Sequence, residues 1–282
     1  MRTARHRSDA DPSAPPTGIL EPPPAAAPYY QPIANEREIF EAAARDRLPI
    51  LLKGPTGCGK TRFVRHMAWR FARPLVTVAC HDDLSASDLT GRFLVRGGDT
   101  VWQDGPLTAA VRAGAIAYLD EVVEARLDTI VVLHPLADDR RILPLERAGE
   151  LVEAHPDFQL VVSYNPGYQT LVKELKPSTR QRFVAIALSF PPPDREAEII
   201  AHEAGVDRGT AVRLAALAER IRPLRDRGLS EPPSTRLLVH AARLIAAGLG
   251  ETEACRSALC AALTDDPELE ATLVEITHAV LG

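Results

Sequence analysis

Gly54-Pro55-Thr56-Gly57-Cys58-Gly59-Lys60-Thr61 decides how the chain is read. It matches GxxxxGK[ST], the phosphate-binding P-loop. Pro49-Ile50-Leu51-Leu52 leads in as a buried strand would, and Phe63, Val64, Met67 and Phe71 fall on one side of the helix that follows. Strand, glycine loop and helix are the context the motif needs. Glycines let the backbone curl until several N–H groups converge on one phosphate, and the new helix adds its positive end. All of Gly54 to Thr61 therefore belongs to the expected nucleotide cradle, with Lys60 reaching the β- and γ-phosphates and the Thr61 hydroxyl holding Mg²⁺.

A second stretch answers the first. Ala115-Ile116-Ala117-Tyr118-Leu119 is an apolar run that ends in Asp120-Glu121, the pattern by which a buried strand delivers two carboxylates at its C-terminal edge. Asp120 is the expected Mg²⁺ ligand, mostly through water, and Glu121 the group that orients and activates the attacking water. The strand Phe158 to Ser163 ends at Tyr164-Asn165-Pro166-Gly167. Asn165 suits a turn before proline, and at a strand tip beside the phosphate loop it also suits a hydrogen bond to that water. Arg180 and Arg182 precede the last strand. They are compatible with surface charge and with a finger reaching a neighbouring subunit's nucleotide, Arg182 first and Arg180 second. Arg236 opens a helix after Ser234 and is compatible with solvation or with pointing back at the phosphates.

Composition narrows the class. With 282 residues the chain holds one or two domains at roughly 100–200 residues each. A net charge of −5 and the lack of a long basic run argue against nucleic acid as a main partner. No apolar run approaches the ~20 residues of a membrane span. Arg2, Arg5 and Arg7 lack the apolar core of a secretory signal. Cys58, Cys80, Cys255 and Cys260 form no CxxC pair and read as free thiols of a reducing cytoplasm. His81-Asp82-Asp83 follows Cys80, but neighbours on a strand point to opposite faces, so the reading is a polar loop over 81–89 and not a metal site.

Residues 1–28 are rich in Pro, Ala and Ser and read as a disordered tail. Order is expected from about Tyr29. A helix carries Ile39, Phe40 and Ala43, and Leu75 to Ala79 makes a second strand. Phe93-Leu94-Val95 ends at Gly97-Gly98, and Asp104-Gly105-Pro106 starts a helix. Residues 125–137 read as one helix, and residues 140–153 alternate as a hairpin. The last strand runs from Val184 to Phe190. After Pro191-Pro192-Pro193 everything reads helical: 194–204, 208–222, 235–247, 251–262 and 267–281. The expected division is a nucleotide-binding domain over 29–190 and an all-helical domain over 194–282.

Taken together these features resemble an AAA+ ATPase, and the hairpin resembles the insert of the MoxR branch. KGPTGCGKTRF (53–63), VACHDDLSASDLTGR (78–92), VWQDGPLT (101–108), YLDEVVEAR (118–126), HPLADDRR (134–141), SYNPGYQ (163–169) and KPSTRQRF (176–183) are similar to the CbbQ/NirQ/NorQ/GpvN family. The string 81–92 leans towards the CbbQ members. The resemblance implies an α/β P-loop core with a five-stranded parallel sheet of order 5-1-4-3-2 and a helical lid. It implies Walker A roles for Lys60 and Thr61 and Walker B roles for Asp120 and Glu121. Asn165 takes the sensor 1 role, Arg182 or Arg180 the finger, and Arg236 sensor 2. It also implies ATP with Mg²⁺, a homo-hexameric ring with the loop from Leu84 to Phe93 facing its pore, and a von Willebrand factor A domain partner of CbbO or NorD type. The client is then inhibited Rubisco or, alternatively, nitric oxide reductase in maturation. A ring that binds ATP to assemble, with incidental hydrolysis, is the rival reading.

Overall fold

The computed structural model describes residues 20–166, 175–227 and 229–282. Among the described residues nine strands follow one another: β1 (Ile50–Lys53), β2 (Leu75–Ala79), β3 (Gly91–Arg96), β4 (Asp99–Asp104), β5 (Ile116–Asp120), β6 (Ile142–Leu145), β7 (Glu150–Glu153), β8 (Gln159–Tyr164) and β9 (Val184–Ala187). Five of them form a parallel sheet in the order β2-β5-β8-β1-β9. Counted among themselves and read from the β9 edge, these are strands 5-1-4-3-2, the order the resemblance implies.

The central strands are mostly apolar because both faces are covered. On one face Phe63, Val64 and Met67 of the helix Lys60–Arg70 pack with Phe40 of the helix Glu36–Arg45 against Ile50, Leu52, Tyr118 and Val161. On the other face Leu107, Ala110 and Val111 of the helix Pro106–Ala113 meet Leu51, Ala117, Leu119 and Val162. The C-terminal ends of β1, β5 and β8 therefore emerge side by side, which is where parallel α/β sheets form their binding crevice.

Several expectations are corrected. The polar stretch 81–89 is not all loop. It contains the helix Ala86–Thr90, which Ser85 and Asp88 start with a reciprocal capping box. Gly97-Gly98 does not end a single strand but joins β3 to β4, with φ of 62° and 97°. Two left-handed residues in succession make the hairpin turn that matches strand twist, and glycine adopts them without a β-carbon clash. The helix expected over 125–137 is broken into Leu127–Val131 and a 3₁₀ turn, His134–Leu136, because Pro135 has no N–H to continue it. The last strand stops at Ala187 instead of Phe190.

Part of the expected tail, residues 1–19, lies outside the described residues. The remainder is not free: Glu21 exchanges backbone hydrogen bonds of 2.8 Å each way with Leu75 on the edge strand β2. Leu20 packs on the core, so ordered contacts begin before Tyr29.

From Pro193 onward helices surround their own core, with Ile200, Leu214, Leu217, Leu238 and Leu273 fully buried. The helix expected over 251–262 contains a π segment, Arg256–Cys260. At the entrance to this unit the fully buried Glu196 binds the Arg222 guanidinium through two hydrogen bonds, 2.6 and 2.9 Å, and accepts a third from Thr235 at 2.6 Å. Among the described residues no helix is long and apolar enough to cross a membrane.

Candidate active site

The loop after β1 turns through Gly57 (φ 69°) and Gly59 (φ 100°), and Gly59 is the N-cap of the helix Lys60–Arg70. Lys60 is the first residue of that helix, and its side chain folds back into the loop. Its Nζ donates to the carbonyls of Gly54 at 2.9 Å and Pro55 at 3.1 Å, and also to Asn165 Oδ1. The same Asn165 amide donates from Nδ2 to Glu121 Oε1 at 2.9 Å and to Thr56 Oγ1 at 3.2 Å. One side chain at the tip of β8 thus ties the loop lysine to the strand-end glutamate.

Thr61 and Asp120 meet as well: the Thr61 hydroxyl donates to Asp120 Oδ2 at 3.4 Å. Two hard oxygen donors beside a phosphate cradle fit Mg²⁺, which binds through one or two protein oxygens and completes its shell with water and substrate phosphates. Asp120 is held from behind. Its Oδ1 accepts from Ser163 at 2.5 Å and from Tyr118 at 2.7 Å. Burial, then the Asp120 charge, push the Tyr118 hydroxyl's pKa well up, so it stays protonated and can donate. Burial also raises the nearby Cys80 thiol to about 12, with Asp120 and Glu121 adding to the shift, so it stays uncharged beside the acids.

These groups face a cleft of about 1070 Å³ between the sheet edge and the helical unit. Its walls include Thr56 to Thr61, Asp120 and Glu121, and opposite them Tyr29, Tyr30, Thr235, Arg236 and His240. Arg236 is exposed and lines this cleft. Arg180 and Arg182 do not line it. They sit on and just after the short helix Pro177–Arg180, where Arg182 Nη1 donates to the Ser178 carbonyl at 2.6 Å. Among the described residues, Arg182 Nε is buried with no hydrogen-bond partner. Lys60, Thr61, Asp120, Glu121, Arg236 and the glycine loop thus line one cleft, Asn165 joins them through its bonds to Lys60 and Glu121, and Arg180 and Arg182 stand apart.

Sequence reasoning missed four contributors. Tyr118 and Ser163 were readable as polar residues two places before Asp120 and Asn165, on the same strand face as each. Ser234 is readable only as a helix cap, not as a neighbour of the loop, and Glu231 carries no local signal. The Ser234 side chain lies so near Gly57 that a β-carbon there would come within 2.5 Å of its Cβ, and Thr56 Oγ1 donates to Glu231 at 3.2 Å. Gly57→Ala is therefore expected to weaken ATP binding at least tenfold, the clash and the left-handed backbone acting together. Fluorescence titration with a labelled ATP analogue reads it, and an unchanged affinity would place the helical unit away from the loop in solution.

Comparison with known proteins agrees with this geometry. The profile of the AAA domain (dynein-related subfamily) matches residues 49–183, and that of the CbbQ/NirQ/NorQ C-terminal region matches residues 196–280. NorQ of Paracoccus denitrificans is 60% identical over 256 residues, covering 91% of this chain and 95% of that protein. CbbQ of Hydrogenophilus thermoluteolus is 58% identical over 246 residues, covering 87% and 92%. The denitrification regulatory protein NirQ of Stutzerimonas stutzeri is 54% identical over 271 residues, covering 95% and 98%. A crystal structure from Cytophaga hutchinsonii shares the fold at a TM-score of 0.50 and 16% identity, over 88% of this chain and 82% of its own. A P-loop and an acidic strand end in one cleft, under a helical unit matched by its own profile, place the chain in the CbbQ/NirQ/NorQ family of AAA ATPases.

Proposed function

We propose that this chain hydrolyses ATP and uses the free energy to remodel a protein client. The observation that carries the reading is the Asn165 amide, which binds the charge of Lys60 with its oxygen and Glu121 with its nitrogen. Lys60 and the N-terminal N–H groups of the helix Lys60–Arg70 form a fixed positive surface for the triphosphate. Glu121 takes the proton of the attacking water, and Asn165 keeps its carboxylate aimed at the γ-phosphate. Thr61 and Asp120 would hold Mg²⁺, which would supply charge neutralisation of the phosphate oxygens. Arg236 answers nucleotide from the helical side of the cleft. Arg182, or Arg180, acts in trans as the arginine finger, because both lie outside this chain's own cleft.

The working assembly in this reading is a homo-hexamer in the cytoplasm, acting with a von Willebrand factor A domain partner of CbbO or NorD type. The four cysteines, all buried and free, suit a reducing compartment. Inhibited Rubisco is the client of the first reading. Maturation of nitric oxide reductase is the second. It is favoured by the 60% identity to NorQ and by the relative described as a denitrification regulatory protein.

Phosphate release by the purified chain with Mg²⁺-ATP tests the proposal. The expected result is a specific activity that rises with chain concentration and rises again with the partner. It should also fall by about 10³-fold or more when Arg182 and Arg180 are both replaced by Ala. Release no faster than spontaneous hydrolysis, with and without partner, would leave the nucleotide-gated scaffold as the reading. Stimulation by purified Rubisco or by nitric oxide reductase separates the two clients.

A further inference from the structure

Two hydroxyls lie buried in the sheet just behind the acidic strand end. Tyr118 and Ser163 are both 0% exposed, and buried hydroxyls of this kind need partners. Ser163 Oγ donates to Asp120 Oδ1 at 2.5 Å, and the same oxygen accepts from the Glu121 backbone N–H at 3.2 Å. The Tyr118 hydroxyl lies 2.7 Å from Asp120 Oδ1 and 3.1 Å from Ser163 Oγ. The register pairs Leu119 with Val162, which sets Asp120 beside Ser163 on the neighbouring strand.

Two consequences follow from these bonds. Oδ1 of Asp120 is occupied by two donors, so only Oδ2 faces the Thr61 hydroxyl. Glu121, meanwhile, stands in the left-handed region at φ 55° and ψ 49°, which a side chain with a β-carbon disfavours. Such a conformation persists only where the surroundings hold it. The Ser163 hydroxyl holds it by the backbone N–H.

We propose that Ser163 and Tyr118 are positioning residues for Mg²⁺-ATP: together they fix the Asp120 carboxylate with one oxygen turned to the metal position, and Ser163 alone also fixes the backbone that delivers Glu121. The inference rests on the ATPase reading of the same cleft. Its physical basis is that Mg²⁺ demands near-ideal octahedral geometry, so a carboxylate free to rotate is a poorer ligand than one pinned by its rear oxygen. The two residues divide the work unequally. Ser163 touches both acids, whereas Tyr118 touches Asp120 and Ser163.

The test is a Mg²⁺ titration of labelled-ATP binding, read by fluorescence, together with phosphate release and the melting temperature. Ser163→Ala is expected to raise the Mg²⁺ concentration for half-saturation about tenfold, the equivalent of one hydrogen bond to a charged group, with little change in Mg²⁺-free nucleotide affinity. Its turnover at saturating Mg²⁺ should fall as well, because Glu121 is released. Ser163→Thr, which restores the hydroxyl, should recover most of both. Tyr118→Phe should shift the Mg²⁺ curve by about threefold and lower turnover less than Ser163→Ala does. Mg²⁺ curves for Ser163→Ala and Tyr118→Phe that superimpose on the unmodified chain would overturn the proposal, and would do so whether or not the melting temperature had dropped. If Ser163→Ala does not fold, Tyr118→Phe still decides it. If the unmodified chain releases no phosphate, the ATPase reading fails, and the binding titration still tests the hydroxyl pair.

Discussion

Glu121→Gln should bind ATP with nearly unchanged affinity and lose turnover by roughly 10²- to 10⁴-fold, the span a positioned general base contributes. The substitution is close to isosteric and keeps an oxygen to accept the Asn165 Nδ2 hydrogen bond of 2.9 Å. It removes only the capacity to take a proton. Lys60, the glycine loop and Asp120 do not depend on the Glu121 charge for their own bonds: Lys60 is held by Gly54, Pro55 and Asn165, and Asp120 by Ser163, Tyr118 and Thr61. Binding and chemistry should therefore separate cleanly. A phosphate-release rate within threefold of the unmodified chain, with the protein folded, would remove Glu121 from its role. A parallel loss of affinity would mean instead that the carboxylate helps to hold the loop.

What could be read from sequence was local or nearly so. The P-loop names eight consecutive residues, and its geometry follows from glycines whose φ values are dictated within that stretch. Asp120-Glu121 is also local, since an apolar strand that ends in acids can end only at the sheet edge. The pairing of these two stretches across the sheet is not local, and the strand order came only through the resemblance. The hairpin of β3 and β4 was missed at Gly97-Gly98, a dipeptide read as an end when its two positive φ angles make it a turn. Thr56 and Glu231 stand 175 positions apart, and no periodicity connects them. Arg180 and Arg182 show the converse limit. Their residue types suggested a catalytic role, but their position outside the cleft gives that role meaning only in a ring of several chains.

Arg222→Ala should destabilise the protein by about 3–5 kcal/mol, the range for removing one partner of a buried ion pair. The Glu196 carboxylate is wholly buried, and among the described residues two of its three side-chain hydrogen bonds come from Arg222. Without the guanidinium, a charge remains in the interior with the Thr235 hydroxyl as its side-chain partner. Arg222 also lies over the Phe190 ring at 4.1 Å and donates from Nε to the Pro233 carbonyl at 3.3 Å. It thus joins the segment after β9, the helix Pro193–Ala204 and the turn that presents Ser234 to Gly57. Urea denaturation reads the stability loss, and a cost below about 1 kcal/mol would show that the carboxylate does not rely on this arginine. The paired replacement Glu196→Leu with Arg222→Met distinguishes stability from position. Apolar groups of similar volume often match a buried ion pair, so most of the stability should return. ATP affinity should not, because packing without directed hydrogen bonds no longer fixes the turn at Pro233 and Ser234 against the phosphate loop.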